Sequence, residues 1–117
     1  MGKEKAVLEY RLRFPQGHPE AFGHGKAELM ELIAETGSIR SAAGRMEMSY
    51  NRAWTLVRAM NRLFTEPLVT SERGGKTGGG AQLTPTGRTV LKHYRQMEAA
   101  SEKACAKHWA KLQRLLR

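Results

Sequence analysis

The sequence predicts a mainly α-helical fold with a small β wing: a winged helix-turn-helix followed by a long C-terminal dimerisation helix. Three features predict it. Residues 37–62, GSIRSAAGRMEMSYNRAWTLVRAMNR, read as two helices joined by a tight turn. Residues 68–84 hold two short strand-like runs around a glycine-rich basic segment. From Thr84-Pro85 onward little interrupts a helix except Gly87 in its first turn. A helix pair of this kind lays its second helix in a DNA major groove, and a hairpin directly after it forms a wing.

The chain has 117 residues, enough for one domain (1–117) around one modest core. Hydrophobic residues make up 40%, which predicts a folded globule. Lys and Arg number 20 against 11 Asp and Glu, a formal charge of +9. That balance favours a polyanionic partner, nucleic acid first and an anionic membrane surface second. After residue 66 the acids are only Glu72, Glu98 and Glu102, so most of the excess charge lies there. Cys105 is the single cysteine, which excludes an internal disulfide or a multi-cysteine zinc site and fits a reducing cytoplasm. No apolar run reaches the roughly 18 to 20 residues that cross a bilayer, and the N-terminus lacks a signal-peptide apolar region. A cytoplasmic protein is expected.

Taken in order, residues 7–14 alternate: Leu8, Tyr10, Leu12 and Phe14 against Glu9, Arg11 and Arg13. That period predicts a half-buried strand, ended by Pro15, with a loop after it. Residues 26–36 form a helix with Leu29, Leu32, Ile33 and Thr36 on one stripe, stopped by Gly37. Ser38 caps the next helix, whose buried side is Ile39, Ala42, Ala43 and Met46. Glu47 and Met48 make the turn, and Ser49 caps a third helix with Ala53, Val57, Met60 and Phe64 towards the core. The helix-turn-helix thus spans 38–64 and the wing 68–84. The long helix spans 85–117, opened by a capping hydroxyl and a proline at the first helical position. Its apolar stripe of Tyr94, Met97, Ser101, Cys105, Trp109, Leu112 and Leu116 needs a partner surface. The simplest partner is the same helix of a second subunit.

Candidate DNA contacts follow from position. Tyr50, Asn51 and Arg52 lie in the first turn of the recognition helix, where base edges are reached; Asn suits adenine and Arg suits guanine. Thr55 and Arg58 follow as phosphate or flank contacts. Ser38, Arg40 and Ser41 begin the preceding helix and Ser49 the recognition helix, where backbone N–H groups and the dipole suit a phosphate. Arg73, Lys76 and Thr77 belong to the wing, whose glycines allow close approach to the DNA backbone. Trp54 is expected to pack under the wing and Cys105 to act as a small buried hydrophobe. GGKTGGG is no nucleotide-binding P-loop, because it lacks the first glycine and a following helix. The four histidines have no pair spacing for a metal, and no catalytic set converges near the glycines. No enzyme activity, cofactor or metal is expected.

Several of these residues carry a family resemblance. Thr36-Gly37-Ser38-Ile39 with Ala42 or Ala43, Ser49-Tyr50 with Ala53-Trp54 and Met60-Asn61, then Gly74-Gly75-Lys76, residues 78–81 and Leu83-Thr84 resemble the N-terminal DNA-binding domain of the ModE family of molybdate-responsive transcription regulators. The likeness covers about residues 25–95; the helix-turn-helix alone also resembles the LysR-type regulators. The resemblance implies a winged helix, a homodimer formed through the first strand region and the last helix, and a roughly palindromic double-stranded DNA operator. Full-length members carry C-terminal molybdate-binding domains, for which this chain has no counterpart, so no molybdate binding is expected in it. Two other functional classes compete: a nucleoid or RNA-binding protein without sequence preference, and a winged-helix protein-interaction module.

Overall fold

The computed structural model describes residues 6–15, 20–72 and 80–117. Strand β1 is Leu12–Arg13 and β2 is Ala21–Phe22, paired antiparallel with Leu12 opposite Phe22. Three helices follow: α1 (His24–Thr36), α2 (Ile39–Arg45) and α3 (Tyr50–Leu63). Strands β3 (Val69–Glu72) and β4 (Gly80–Leu83) pair antiparallel, Val69 opposite Leu83 and Glu72 opposite Gly80. Helix α4 (Pro85–Gln113) closes the chain. The order is that of a winged helix-turn-helix with a long last helix, as the sequence predicts.

The caps lie where sequence places them. Gly37 takes φ 70°, and its N–H donates to the Ile33 carbonyl at 2.8 Å. The Ser38 hydroxyl accepts from the Ser41 N–H, and the Ser49 hydroxyl from the Arg52 N–H, each at 3.0 Å. Between α2 and α3, Glu47 adopts φ 55°, the left-handed turn position that glycine usually fills. Around it the Met48 N–H donates to Ala43 O at 3.0 Å and the Glu47 N–H to Gly44 O at 3.1 Å, which ends α2.

The core lies where α1, α2 and α3 meet the inner faces of β3 and β4. Ala27, Leu29, Met30 and Ile33 are buried from α1, Ile39, Ala42 and Ala43 from α2, and Ala53, Val57, Ala59 and Met60 from α3. Leu68, Val69 and Leu83 are buried at the wing root. Alanines at the α2–α3 contact let the two backbones approach closely. Leu32, Met46 and Phe64 are only half-buried at the edge, while Met30 and Ala59 take interior places outside the predicted stripes.

Four expectations are corrected. The strand expected over 7–14 is regular only at Leu12–Arg13, because its partner β2 offers just two residues of backbone to pair with. That partner falls in the stretch expected to be a loop. It supplies Phe22, fully buried between Phe64 and Tyr94 with edge-on ring contacts at 5.7 and 5.3 Å. Tyr94, expected on the dimer stripe, belongs to the subunit's own core at 4% exposure. Its hydroxyl donates to the Tyr10 carbonyl. Helix α4 ends at Gln113, with Leu115 and Leu116 in a turn, so Leu116 lies beyond the helix that was expected to carry it.

Candidate nucleic-acid interface

Asn51, Thr55, Arg58 and Arg62 recur at steps of four, three and four along α3, and all four are exposed. At about 100° per residue they form one outward stripe, opposite buried Ala53, Val57 and Met60. The Thr55 hydroxyl donates to the Asn51 carbonyl at 3.0 Å, so its side chain folds back on the helix. Arg62 joins this stripe although it was not among the candidate contacts. The steps of four and three that mark the core stripe mark this one equally, so the signal was present in the sequence.

Arg52 points elsewhere. It is exposed but sits about 100° from Asn51, on the flank with Leu56, and lines a groove beside the N-terminal segment. Asn51 and Arg52 are therefore neighbours in sequence on different faces.

The other flank carries a ladder of rings and guanidinium groups that links α2 to α3. Arg40 lies over the Tyr50 ring at 4.2 Å from its centroid. The Tyr50 ring meets Trp54 edge-on at 6.3 Å, and Arg58 lies over Trp54 at 5.7 Å. Each such contact is worth roughly 0.5 to 1 kcal/mol at an exposed site. Its effect is to hold Arg40 and Arg58 as fixed charges on either side of the aromatic pair. Trp54 is half-buried against the core and serves both as packing and as a platform for Arg58.

Five arginines lie between residues 37 and 63. Arg45 is neutralised by Glu35 at 2.9 Å. Among the described residues, Arg40, Arg52, Arg58 and Arg62 have no carboxylate within ion-pair distance, so the positive charge faces outward. Ser38 and Ser41 stand beside Arg40 at the start of α2, with Ser41 exposed. Arg73, Lys76 and Thr77 lie outside the described residues.

The wing root is fixed to both neighbouring helices. The Asn61 side chain accepts from the Leu68 N–H at 2.8 Å and the Val69 N–H at 3.1 Å, and donates to the Val69 carbonyl at 3.0 Å. The Ala81 N–H donates to the Gly37 carbonyl at 2.9 Å, so β4 hangs on the α1–α2 corner. Asn61 thus acts through the backbone of the wing, a role that its place in the sequence pattern does not reveal. At the far side of the domain, Arg95 binds Glu31 at 2.6 Å and Glu98 at 2.7 Å, which docks α4 on α1. The expected α4 stripe is divided: Met97 and Leu112 are exposed, while Ser101, Cys105 and Trp109 are half-buried. Among the described residues there is no cluster of histidine, cysteine and carboxylate that fits a metal ion, and no helix long and apolar enough to cross a membrane.

Fold and surface together define a winged helix-turn-helix domain with a cationic outer face. The chain belongs to the lysR family of bacterial regulatory helix-turn-helix proteins, whose pattern matches residues 26–88. It is also ModE-like. It is 44% identical over 81 residues to the molybdenum-pterin-binding protein MopB of Rhodobacter capsulatus, covering 69% of this chain and 30% of that protein. To the molybdenum transport protein ModE of Azotobacter vinelandii it is 40% identical over 84 residues, covering 72% and 31%. To the DNA-binding transcriptional dual regulator ModE of Escherichia coli K12 it is 37% identical over 79 residues, covering 68% and 30%. These matches reach about 30% of the length of the relatives. The crystal structure of the CbnR_DBD–DNA complex shares the fold, with TM-score 0.57 at 20% identity, over 75% of this chain and 95% of that one. Full-length CbnR complexed with its target DNA shares it with TM-score 0.56 at 21% identity, over 74% and 28%.

Proposed function

We propose that the chain is a sequence-specific double-stranded DNA-binding transcriptional regulator that acts as a homodimer on a roughly palindromic operator. The observation that carries this is the outward stripe of Asn51, Thr55, Arg58 and Arg62 on a helix whose opposite face is fully buried. That stripe is polar and cationic, and its leading residue can bond adenine on two atoms. Support comes from the relatives, one described as a DNA-binding transcriptional regulator, and from a fold shared with a chain crystallised on DNA. The wing segment carries Arg73, Lys76 and Thr77 next to this surface in sequence, where it grips the flanking backbone.

Dimerisation follows from α4. At 1.5 Å per residue its 29 residues extend about 44 Å, well past the core it docks on. Met97 and Leu112 are 54% and 51% exposed on it, and Val7, Leu8 and Leu12 are exposed on the N-terminal segment. A second copy covering these residues places two recognition helices on one face of the duplex, with half-sites about 10 bp apart or a multiple of that.

Selection of bound duplexes from a random pool tests the reading. A palindromic consensus is expected, with competition by random DNA weak. Binding lost equally to random competitor would assign the charge to a nucleoid or RNA-binding role. No retardation of any duplex at moderate salt would assign the domain to protein docking.

A further inference from the structure

The flank of α3 that carries Arg52 borders a groove of about 420 Å³. Arg11 lines it from the N-terminal segment, and Gly23, Gly25 and Lys26 line it from the start of α1. Three cations thus share one groove. Among the described residues, Arg11 and Arg52 have no carboxylate within ion-pair distance. The Lys26 ammonium donates to the Ala21 carbonyl at 2.7 Å, and Glu20, its ion-pair partner, stands at 3.9 Å. With three donors, that ammonium keeps at least one N–H for another acceptor. Burial lowers the Lys26 pKa; Glu20 opposes the shift, while Arg11 and Arg52 add to it. A cation crowded by like charges gains more from an anion than an isolated one does.

The backbone points the same way. Helix α1 begins at the groove with Gly23 as its N-cap, no side-chain cap and no acid in its first turn. Among the described residues no side chain accepts from its leading N–H groups, and they carry the positive end of the dipole. Among the described residues, nothing beyond its own helix and chain neighbours lies within 4 Å of where a Cβ on Gly25 would stand, so the space there is open. Among the described residues, Glu9 is the one carboxylate in the lining.

We infer that this groove holds one phosphate of the DNA backbone, gripped by Arg11, Lys26 and the start of α1, with Arg52 closing on it from the recognition helix. The inference rests on the DNA-binding reading above. A backbone phosphate fits better than a free anion because Arg52 directly follows Asn51. The groove therefore borders the face that enters the major groove, and phosphates line both edges of that groove. The N-terminal segment becomes a second backbone clamp, separate from the wing.

The test uses the whole chain and its selected duplex, with each phosphate replaced in turn by a neutral methylphosphonate. One linkage per half-site is expected to cost the wild type roughly tenfold in affinity and to cost Arg11→Gln or Lys26→Gln little, since each has already lost that contact. Both variants should weaken cognate and random duplexes alike and lower the salt slope by about one. Gly25→Glu separates the site from folding. A carboxylate there favours the α1 dipole and repels phosphate, so thermal stability should hold while affinity falls. If no linkage loses its penalty in the variants while the wild type binds DNA, the inference is overturned and the DNA-binding reading stands. If inorganic phosphate occupies the groove and the variants bind DNA as the wild type does, the groove belongs to a free anion and the inference is again overturned. A wild type that retards no duplex overturns both readings together.

Discussion

The Tyr94 hydroxyl donates to the Tyr10 carbonyl oxygen at 2.6 Å, joining α4 to the N-terminal segment across 84 residues of sequence. The Tyr94 ring also meets Phe22 edge-on. One side chain on the long helix therefore anchors both the N-terminal segment and β2. Tyr94→Phe keeps the ring and removes the bond, so it should cost roughly 0.5 to 1.5 kcal/mol in thermal or urea unfolding. A pH dependence accompanies it. Burial first, then Glu98, pushes the Tyr94 pKa up to about 12 from 10.0. The folded state holds this proton more tightly than the unfolded chain. The stabilisation is thus complete below pH 10 and fades as pH rises towards 12. The alkaline loss of stability should be shallower in Tyr94→Phe, and an identical profile in both proteins would remove Tyr94 as its source.

Glu47 occupies the left-handed position that ends α2, with both hydrogen bonds of the turn formed around it. A side chain there costs roughly 1 kcal/mol relative to glycine. Glu47→Gly should raise stability by about that amount in chemical denaturation, despite the greater freedom of glycine in the unfolded chain. A β-branched replacement, Glu47→Val, should lower it.

Gly87 sits where the first turn of α4 crosses the backbone of Leu68. A Cβ built there would run into the Leu68 carbonyl oxygen and stand 2.9 Å from its carbon and 3.2 Å from its Cα. These neighbours are backbone and cannot swing aside. Gly87→Ala should therefore cost about 1 to 3 kcal/mol, although alanine is the better helix former. A Tm equal to or above the wild type would mean the crossing relaxes freely.

The outward stripe predicts unequal effects along α3. Asn51→Ala should cost roughly 1 to 3 kcal/mol on the cognate duplex and relax preference at one base position. Arg62→Ala, at the far end of the stripe, should weaken all sequences alike and reduce the salt slope by about one. Equal losses on cognate and random DNA for Asn51→Ala would take base reading away from it.

If α4 pairs with its copy, Leu112→Glu should yield monomers in sedimentation without loss of thermal stability, because the side chain is half exposed within the subunit. Met97→Glu should act in the same direction. A dimer that persists in both would place the interface elsewhere.

Much of this was legible in the residues. Ser38, Ser49 and Thr84 each cap the helix they precede, since a hydroxyl there accepts from an N–H three residues on. The core faces of α2 and α3 followed from apolar spacing. What stayed hidden was long-range. Phe22 is apolar but sits among glycine and proline, with no period to mark it, and its distant contacts with Phe64 and Tyr94 make it core. Tyr94 shared the spacing of an exposed stripe, and spacing cannot tell which subunit covers a residue. The groove of Arg11, Lys26 and Arg52 joins three separate segments, so nothing local announces it. Arg62 differs, since its spacing from Asn51, Thr55 and Arg58 is local and readable, although it lies about three turns beyond the start of the helix.

Leu68 is where three parts of the domain meet. Asn61 of the recognition helix binds its N–H at 2.8 Å, the Thr84 N–H binds its carbonyl at 2.9 Å, and Gly87 lies against it. The Thr84 hydroxyl also holds the Pro67 carbonyl at 2.7 Å. These bonds tie the start of the long helix to the end of α3. A torque applied at the far end of α4, about 40 Å away, meets the wing root at the Leu68 backbone and the rest of the domain through the Arg95–Glu31 pair and the Tyr94 contacts. If a second copy grips the distal end of α4, its hold is expected to bear on the angle at which the stripe of α3 is presented.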